Sequence, residues 1–540
     1  MAGVDGPLAT DGFRDRAQGN ELRRDLGRFG LLSSSASSML TNGLAFASLG
    51  AATFAGPAAL LSWALGGAAV LILAMAHAEL SAMFPVAGGT VRFPRLAFGD
   101  LAGVVFGWAS WLQAAAVAPY VTLGAESYAV YWWPALGKNP EDGQISVTGY
   151  GVAVALMALF TLVNFFGIRW FARVNNFLMV VKLAIPAVCF FILLTSIHVS
   201  NFYSRGFMPY GFKGVVSALG GGSIVFMFFG FEQADQLAGE ARHPQRDIPF
   251  AVIGSVLIAI VLNVLAEVAF IGALPSGKLT AGFANLVPGG SGAPGLAGVL
   301  GIGWLIIMFR SYVLIAPLGN GLVYATTASR LSLGMARNRY VPAVFGRIDR
   351  RGVPWVGLIS SFAISLFVFF PYANSDGLLG DIVGASVLMY AGIPLALSAM
   401  RRQFPDKDDK EQRPYRLPAA RMLAPTAFTV ANLMIYWSGW NVVWRIGLAV
   451  LAGCLLTGLT WTCSKSQRPS VITWRSALWV PVYLLGMGAI SWQGAYSGGT
   501  GGIHFGWDIL VVTVFSLAIY HWAVRSRLSA VDVARMVSDM

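Results

Sequence analysis

The chain has 540 residues, of which 56% are hydrophobic and only 11% are charged, and its mean hydropathy is +0.65. Soluble globular domains are much less apolar, so this composition excludes a soluble enzyme or a soluble binding module. The sequence predicts an all-α polytopic membrane protein. The net charge of +12 would indicate a nucleic-acid partner, unless the basic residues follow the orientation of membrane helices.

Apolar runs of about 20 residues predict the membrane-spanning helices, called spans 1 to 14 in chain order. Their predicted ranges are 29–54, 57–84, 98–131, 149–167, 174–197, 214–238, 250–274, 296–328, 354–371, 380–400, 419–439, 441–463, 476–494 and 505–524. An even number of spans places both termini on the same side of the membrane.

The basic residues orient this arrangement. If the N-terminus is cytoplasmic, the outer loops contain only Lys138, Arg205, Lys213 and Lys278, and the inner loops contain nearly all the other lysines and arginines. Positive residues concentrate in cytoplasmic loops of membrane proteins, so the positive net charge needs no nucleic-acid partner. We expect a multi-pass protein of the cell (plasma or inner) membrane with both termini in the cytoplasm.

The loops are too short to hold a soluble catalytic or sensory domain. The tail at residues 1–28 is polar, mixed in charge and without the apolar core of a signal peptide, so we expect it to be disordered. The predicted organisation is a cytoplasmic tail at 1–28, a ten-helix core at 29–400, a cytoplasmic loop at 401–418, four accessory helices at 419–524 and a cytoplasmic tail at 525–540. Cys189, Cys454 and Cys463 show no paired spacing, so neither a disulfide nor a metal site is indicated.

Two spans are interrupted by residues that disfavour a continuous membrane helix. Span 1 contains Thr41, Asn42 and Gly43 near its middle, and span 6 contains Gly230, Phe231 and Glu232. Interrupted helices five spans apart are typical of an inverted five-plus-five repeat, with a solute bound near the midplane between the half-helix ends. Such ends suit a carboxylate and an ammonium, as in an amino acid. A kink stabilised by neighbouring helices is the alternative for each interruption.

Three blocks of residues occur in order along the chain. They are Ala55-Gly56-Pro57-Ala58 to Phe84-Pro85-Val86-Ala87-Gly88-Gly89, then Gly230-Phe231-Glu232 with Gly239-Glu240-Ala241-Arg242 to Pro249, and Pro317-Leu318-Gly319-Asn320-Gly321 to Asn338. Together they resemble helices 2, 6 and 8 of the amino acid, polyamine and organocation transporter superfamily. The closing spans, with Tyr436-Trp437-Ser438-Gly439-Trp440 and Ser516 to Tyr520, resemble a fourteen-span bacterial branch that includes aspartate:proton symporters.

The resemblance implies a ten-helix inverted-repeat core with appended helices that carries amino acids by alternating access. It implies solute contacts at Thr41, Asn42, Gly43, Phe226, Phe229, Gly230 and Phe231, with Phe226 as an aromatic that closes over the solute. The chain departs from the family pattern in two places. It has Thr41-Asn42-Gly43 where relatives have Gly-Ser-Gly or Gly-Ser-Ala, and Tyr312 where relatives of the fourteen-span branch often have an aspartate.

Lys182 lies within span 5, about eight residues or 12 Å from its predicted start. One interpretation is a lysine that extends its ammonium to the cytoplasmic interface. In the resembled family, a lysine at this place replaces a sodium ion and links helices 1 and 8. Burial destabilises the charged form of an ammonium, so its proton could leave and return as the cavity opens. This second interpretation predicts proton coupling without sodium.

Glu232 and Asp235 lie three residues apart in span 6, where unpaired carboxylates are unfavourable. Glu232 either supports the interruption structurally or acts in gating or proton sensing, and we favour the second role. Asp235, Arg310 and Tyr312 are candidates for a gate or for contacts with a substrate side chain. Arg310 would suit an acidic substrate, although Arg310, Glu126 and Glu267 could also be a set of side chains that extend toward the outer interface.

Three classes of function were compared. A secondary active amino-acid transporter explains the interruptions and the intramembrane charges, and an amino-acid or amine exchanger would use the same residues. An enzyme is not supported, because the sequence shows no metal-ligand spacing, phosphate-binding glycine loop or nucleophile with a base. A membrane nutrient sensor would have the same fold without transport. No cofactor is indicated beyond a proton gradient, and the expected partners are a small solute and membrane lipid, without a protein or nucleic-acid partner.

Overall fold

The structure is a computed structural model. It describes residues 22–41, 44, 47–139, 144–222, 224–280, 282–286, 302–369, 375–404, 413–464, 475–504 and 506–538. The predicted residues Asn42 and Gly43 lie outside the described residues. The described part of the chain is mostly helical, with one short antiparallel pair of strands, β1 (Gly137–Asn139) and β2 (Gln144–Ile145).

The α-helices are numbered in chain order. They are α1 (Arg28–Met39), α2 (Ala47–Ala55), α3 (Ala59–Met83), α4 (Gly89–Phe98), α5 (Asp100–Ala129), α6 (Val147–Phe165), α7 (Ile168–Leu194), α8 (Gly211–Gly220), α9 (Gln233–Gln236), α10 (Pro244–Ala273), α11 (Gly303–Arg337), α12 (Trp355–Phe369), α13 (Ser375–Gln403), α14 (Ala420–Ser438), α15 (Trp440–Cys463), α16 (Trp479–Gln493), α17 (Trp507–Arg525) and α18 (Ala530–Ser538).

The prediction of an all-α polytopic membrane protein is confirmed. In the described residues, nine helical segments are long and apolar enough to cross a bilayer, and there are ten if α8 and the segment Val225–Gln236, which meet at a bend of 45°, are counted as one span. Each of the fourteen predicted ranges overlaps one helix or an interrupted pair, with ends that differ by up to nine residues, as for span 8 and Gly303–Arg337. The number fourteen itself stays a prediction.

Spans 1 and 6 are interrupted near the predicted residues. Helix α1 ends at Met39 and α2 begins at Ala47, with Thr41 in the interruption. In span 6, α8 ends at Gly220, a 3-10 turn covers Val225–Phe228, and α9 begins only at Gln233. Gly230, between these segments, has φ +115°, a conformation that glycine adopts far more readily than other residues.

Helices α5 and α11 pack against each other in the interior, and α1 packs against α7, α10 and α11. Helices α14 to α17, the predicted accessory group, contact the preceding helices mainly through α13, α3 and α5. Polar contacts within the accessory group support its packing, because the Asn432 amide donates to Ser516 Oγ at 2.9 Å and accepts from the Tyr483 hydroxyl at 2.7 Å. The core and accessory helices therefore form a continuous packed unit.

The prediction that the N-terminal tail is disordered is wrong for residues 22–27. Leu26 pairs with the turn after span 6, because its amide donates to the Glu240 carbonyl at 2.9 Å and its carbonyl accepts from Arg242 at 2.8 Å. Asp25 accepts two hydrogen bonds from Arg169. The backbone pairing gives this short polar segment a partner that composition alone does not reveal.

The predicted orientation can be tested with two exposed positions assigned to opposite sides of the membrane, Lys213 at the start of α8 and Arg350 in the turn before α12. In a background without native cysteines, Lys213→Cys should react with a membrane-impermeant maleimide in intact cells. Arg350→Cys should react only after permeabilisation. The reverse pattern would contradict the positive-inside orientation.

Candidate solute site between the interrupted helices

A cavity lies between the two interruptions and helices α5, α11 and α13. Its volume of about 140 Å³ is roughly ten times the space that one water needs, so it has room for a small organic solute. Three predicted contact residues line it: Thr41, Phe226 and Phe229. Its polar lining side chains are Ser38, Thr41, Gln113, Tyr120, Asn320, Tyr324 and Ser386.

Serines of α1 bind the interruption of span 6. The Ser35 hydroxyl donates to the Phe231 carbonyl at 2.8 Å and accepts from the Ala234 amide at 3.0 Å. A Cβ at Gly230 would lie 2.7 Å from Ser38 Cβ, so only glycine permits this approach. Backbone groups freed by the interruption therefore find partners on α1, as groups buried away from water require.

Glu232 is fully buried and accepts hydrogen bonds from several donors. Its Oε2 accepts from the Gly230 amide at 3.0 Å and from the Tyr390 hydroxyl at 2.6 Å. Its Oε1 accepts from the side-chain amides of Gln233 at 2.8 Å and Gln113 at 3.4 Å. This geometry suits a carboxylate acceptor that holds the interruption, and Gln113 joins it to the cavity lining.

Aromatic rings connect the cavity with the interior below it. Phe226 and Phe229 in the lining are 5.5 Å apart, and Phe229 lies 5.2 Å from Tyr390. Tyr390 stacks on Phe231 at 5.0 Å. Phe231 therefore supports Tyr390 behind the cavity and is not among its lining residues.

Asp235 is paired with His77 of α3. Both side chains are fully buried, and His77 Nδ1 lies 2.6 Å from Asp235 Oδ2. The His77 ring packs edge-on against Phe231 and Tyr390 at 5.0 and 5.7 Å. Asp235 thus links the inner part of span 6 to α3, beneath the interruption.

Lys182 reaches the core from α7. Its ammonium donates to the Ser37 carbonyl at 2.5 Å, to Ser37 Oγ at 3.2 Å and to Asn320 Oδ1 at 2.8 Å. It therefore connects α1 with α11 beside the cavity, at a point where Gly319 allows the two helices to approach closely.

The interpretation that Lys182 extends its ammonium to the cytoplasmic interface is wrong. Helix α7 begins at Ile168, six residues before the predicted start of span 5, so Lys182 lies about 21 Å along it rather than 12 Å. Its side chain is fully buried. The apolar run did not reveal the extra turns because Arg169 and Arg173 lie in them.

Tyr312 lies on α11 at the interruption of span 1, and Arg310 lies on the same helix beyond it. The Tyr312 hydroxyl donates to the Thr41 carbonyl at 3.2 Å. The Arg310 guanidinium stacks 3.3 Å over the Tyr131 ring. Glu126 and Glu267 are buried, and Trp63 donates to Glu267 at 2.9 Å, so the interpretation of these two carboxylates as side chains that extend to the outer interface is wrong.

Residue types alone did not identify several members of the site. Ser35, Ser37 and Tyr390 were not predicted, and Asn320 was noted only within a family block. The serine-rich stretch of α1 was a usable signal, because small residues mark close helix contacts in membranes. Tyr390 comes from a distant apolar span, and nothing local distinguishes it.

The fold and the site define a class, namely polytopic helical membrane proteins with an interrupted helix beside an internal cavity. Comparison with known proteins identifies the family within this class. The family model for amino acid permeases matches residues 26–490, so the chain belongs to the amino acid permease family, whose members are transporters rather than enzymes.

Two Bacillus subtilis (strain 168) proteins are similar over nearly their whole length. The glutamate/serine transporter AimA is 32% identical over 519 residues, covering 94% of each chain. The aspartate-proton symporter is 29% identical over 513 residues, covering 94% of this chain and 97% of its own. The branched-chain amino acid permease BcaP of the same organism is 25% identical, covering 81% and 92%.

Two glycines with positive φ make a matched test of the interruption. Gly230→Ala places a Cβ against Ser38, whereas Gly211→Ala, at φ +62°, meets nothing within 4 Å. Gly211→Ala should lower stability by about 1 kcal/mol from backbone strain alone. Gly230→Ala should lower Tm further and reduce substrate flux by roughly tenfold or more. Equal effects of the two substitutions would show that the contact with α1 is unimportant.

Proposed function

We propose that this protein is a secondary active transporter that carries an amino acid together with protons across the cell membrane by alternating access. Membership of the amino acid permease family and the names of its relatives support an amino-acid solute. The cavity between the interruptions supports a solute site in the interior. The proposal includes an inverted five-plus-five repeat in spans 1 to 10, and cytoplasmic termini.

The observation that carries proton coupling is the position of the Lys182 ammonium. Its three N–H groups match its three acceptors on Ser37 and Asn320, so they hold α1 against α11 while the lysine is charged. A neutral amine has only two N–H groups, and the attraction of its charge for these acceptors is lost. Loss of the proton therefore weakens the contact between α1 and α11 beside the cavity, which couples protonation to movement of α1 without a sodium ion.

Uptake into proteoliposomes tests this function. Wild-type protein should accumulate labelled amino acids under an inward proton gradient and should not respond to a sodium gradient. Lys182→Ala should reduce proton-driven uptake at least roughly tenfold because the link between α1 and α11 is lost. Lys213→Ala, at an exposed position, is the matched control. Sodium-dependent uptake, or proton-driven uptake that survives Lys182→Ala, would overturn the coupling.

The same vesicles distinguish the other candidate functions. An exchanger shares the cavity and should need amino acid on both sides of the membrane, whereas a symporter accumulates solute without it. A sensor should bind amino acid saturably and show no counterflow.

For Glu232, we infer a role in gating because it joins the interruption, Tyr390 and the cavity residue Gln113. Glu232→Gln replaces an oxygen that accepts hydrogen bonds with an amide NH2 group, which then faces groups that are themselves donors. Uptake should therefore fall, and its pH profile should change. Glu267→Gln is the control, because this fully buried carboxylate binds Trp63 outside the network. An unchanged pH profile in Glu232→Gln would remove Glu232 from the mechanism.

A further inference from the structure

The described side chains that line the cavity carry no formal charge. Their polar groups are hydroxyls and amides, including those of Thr41, Gln113, Tyr324 and Ser386. Residues 42, 43, 45, 46 and 223, which lie outside the described part of the chain, are also uncharged in the sequence. A solute in this cavity therefore meets dipoles and hydrogen-bond partners, and no side-chain cation from these residues.

Three basic residues of the helices around the cavity, Lys182, Arg310 and Arg330, are engaged in other contacts. Lys182 uses its three N–H groups on Ser37 and Asn320. Arg330 binds Glu240 with two hydrogen bonds of 2.8 and 3.2 Å. Arg310 stacks on Tyr131, and it precedes Asn320 by ten residues, about 15 Å along α11. None of these cations can pair with a solute side chain in the cavity without giving up its contacts.

Charge balance then selects the solute. The α-ammonium and α-carboxylate of an amino acid compensate each other and suit the half-helix ends. The second carboxylate of an ionised glutamate or aspartate has no such partner, and an unpaired charge away from water is strongly unfavourable. The side-chain cation of lysine or arginine would likewise find no charged partner among the lining residues, so these amino acids are also disfavoured as solutes.

Resting on the proposed function, we infer that the transported amino acid has a small, uncharged, polar side chain, of the serine or threonine kind, and that ionised dicarboxylic amino acids are excluded. Gln113 and Ser386 supply polar contacts for such a side chain, while Phe226, Phe229 and Ile382 limit its size. The inference separates two activities named for relatives, serine transport and the transport of glutamate or aspartate.

Competition in proteoliposomes tests the inference. With labelled serine outside at pH 7.5, unlabelled serine and threonine should inhibit uptake, and glutamate, aspartate and arginine should need at least roughly 100-fold higher concentrations. Glutamate or aspartate acting within about threefold of serine would overturn the inference and leave the proposed transport of amino acids intact. The absence of uptake or counterflow for every amino acid tested would instead overturn the proposed function.

A pair of variants tests whether the lack of a side-chain cation in the cavity is what excludes acidic amino acids. Ser386→Arg introduces a guanidinium into the cavity, and Ser386→Gln is a large neutral control. The potency of glutamate relative to serine should rise about tenfold in Ser386→Arg over Ser386→Gln, as expected for a charge-assisted hydrogen bond. An unchanged ratio in folded protein contradicts the inference. If either variant fails to fold, the wild-type competition still decides it.

Discussion

The arrangement of the core depends on satisfying the backbone where span 6 is interrupted. Interrupted backbone inside a membrane must find internal hydrogen-bond partners, and here they come from two directions. Ser35 binds Phe231 and Ala234 from α1, and Glu232 binds the Gly230 amide. Because span 1 is itself interrupted between α1 and α2, the two discontinuities meet at one place, and the cavity forms where helices cannot pack continuously.

The helices around the cavity are joined through two separate sets of contacts, and α1 takes part in both. Ser35 and Gly230 join α1 to span 6, whereas Lys182 joins α1 to α7 and α11. Helix α1 is therefore held from two sides, by neutral hydrogen bonds on one and by a charged group on the other. In the proposed mechanism, a change in the protonation of Lys182 acts on the second set and alters the position of α1, while the hydrogen bonds between Ser35 and span 6 stay in place.

Much of the fold could be predicted from the sequence because apolar length and glycine interruptions are local signals. The predicted spans overlap the observed helices, and both interruptions lie near the predicted residues. The predicted depth of Lys182 was wrong because arginines lie in the first turns of α7 and hid its start. The site was harder to predict. Phe226 and Phe229 line the cavity, but Phe231 supports Tyr390 from behind, and Glu232 owes its partners to Tyr390 and Gln113 from distant spans. Contacts between helices far apart in sequence leave no local pattern.

The charges of the core surround the cavity without lining it. Glu232 and Lys182 each share a hydrogen bond with a neutral lining residue, Gln113 and Asn320 respectively. The His77–Asp235 pair lies further in, against Phe231 and Tyr390. A charged lining would bind oppositely charged solutes and would change its affinity whenever a lining group gained or lost a proton. In the proposed mechanism, protonation of the groups behind the lining acts on the helices, while selectivity depends on the neutral amides and hydroxyls of the lining. Coupling and substrate choice can then be altered by different substitutions, which is the physical basis for testing them separately.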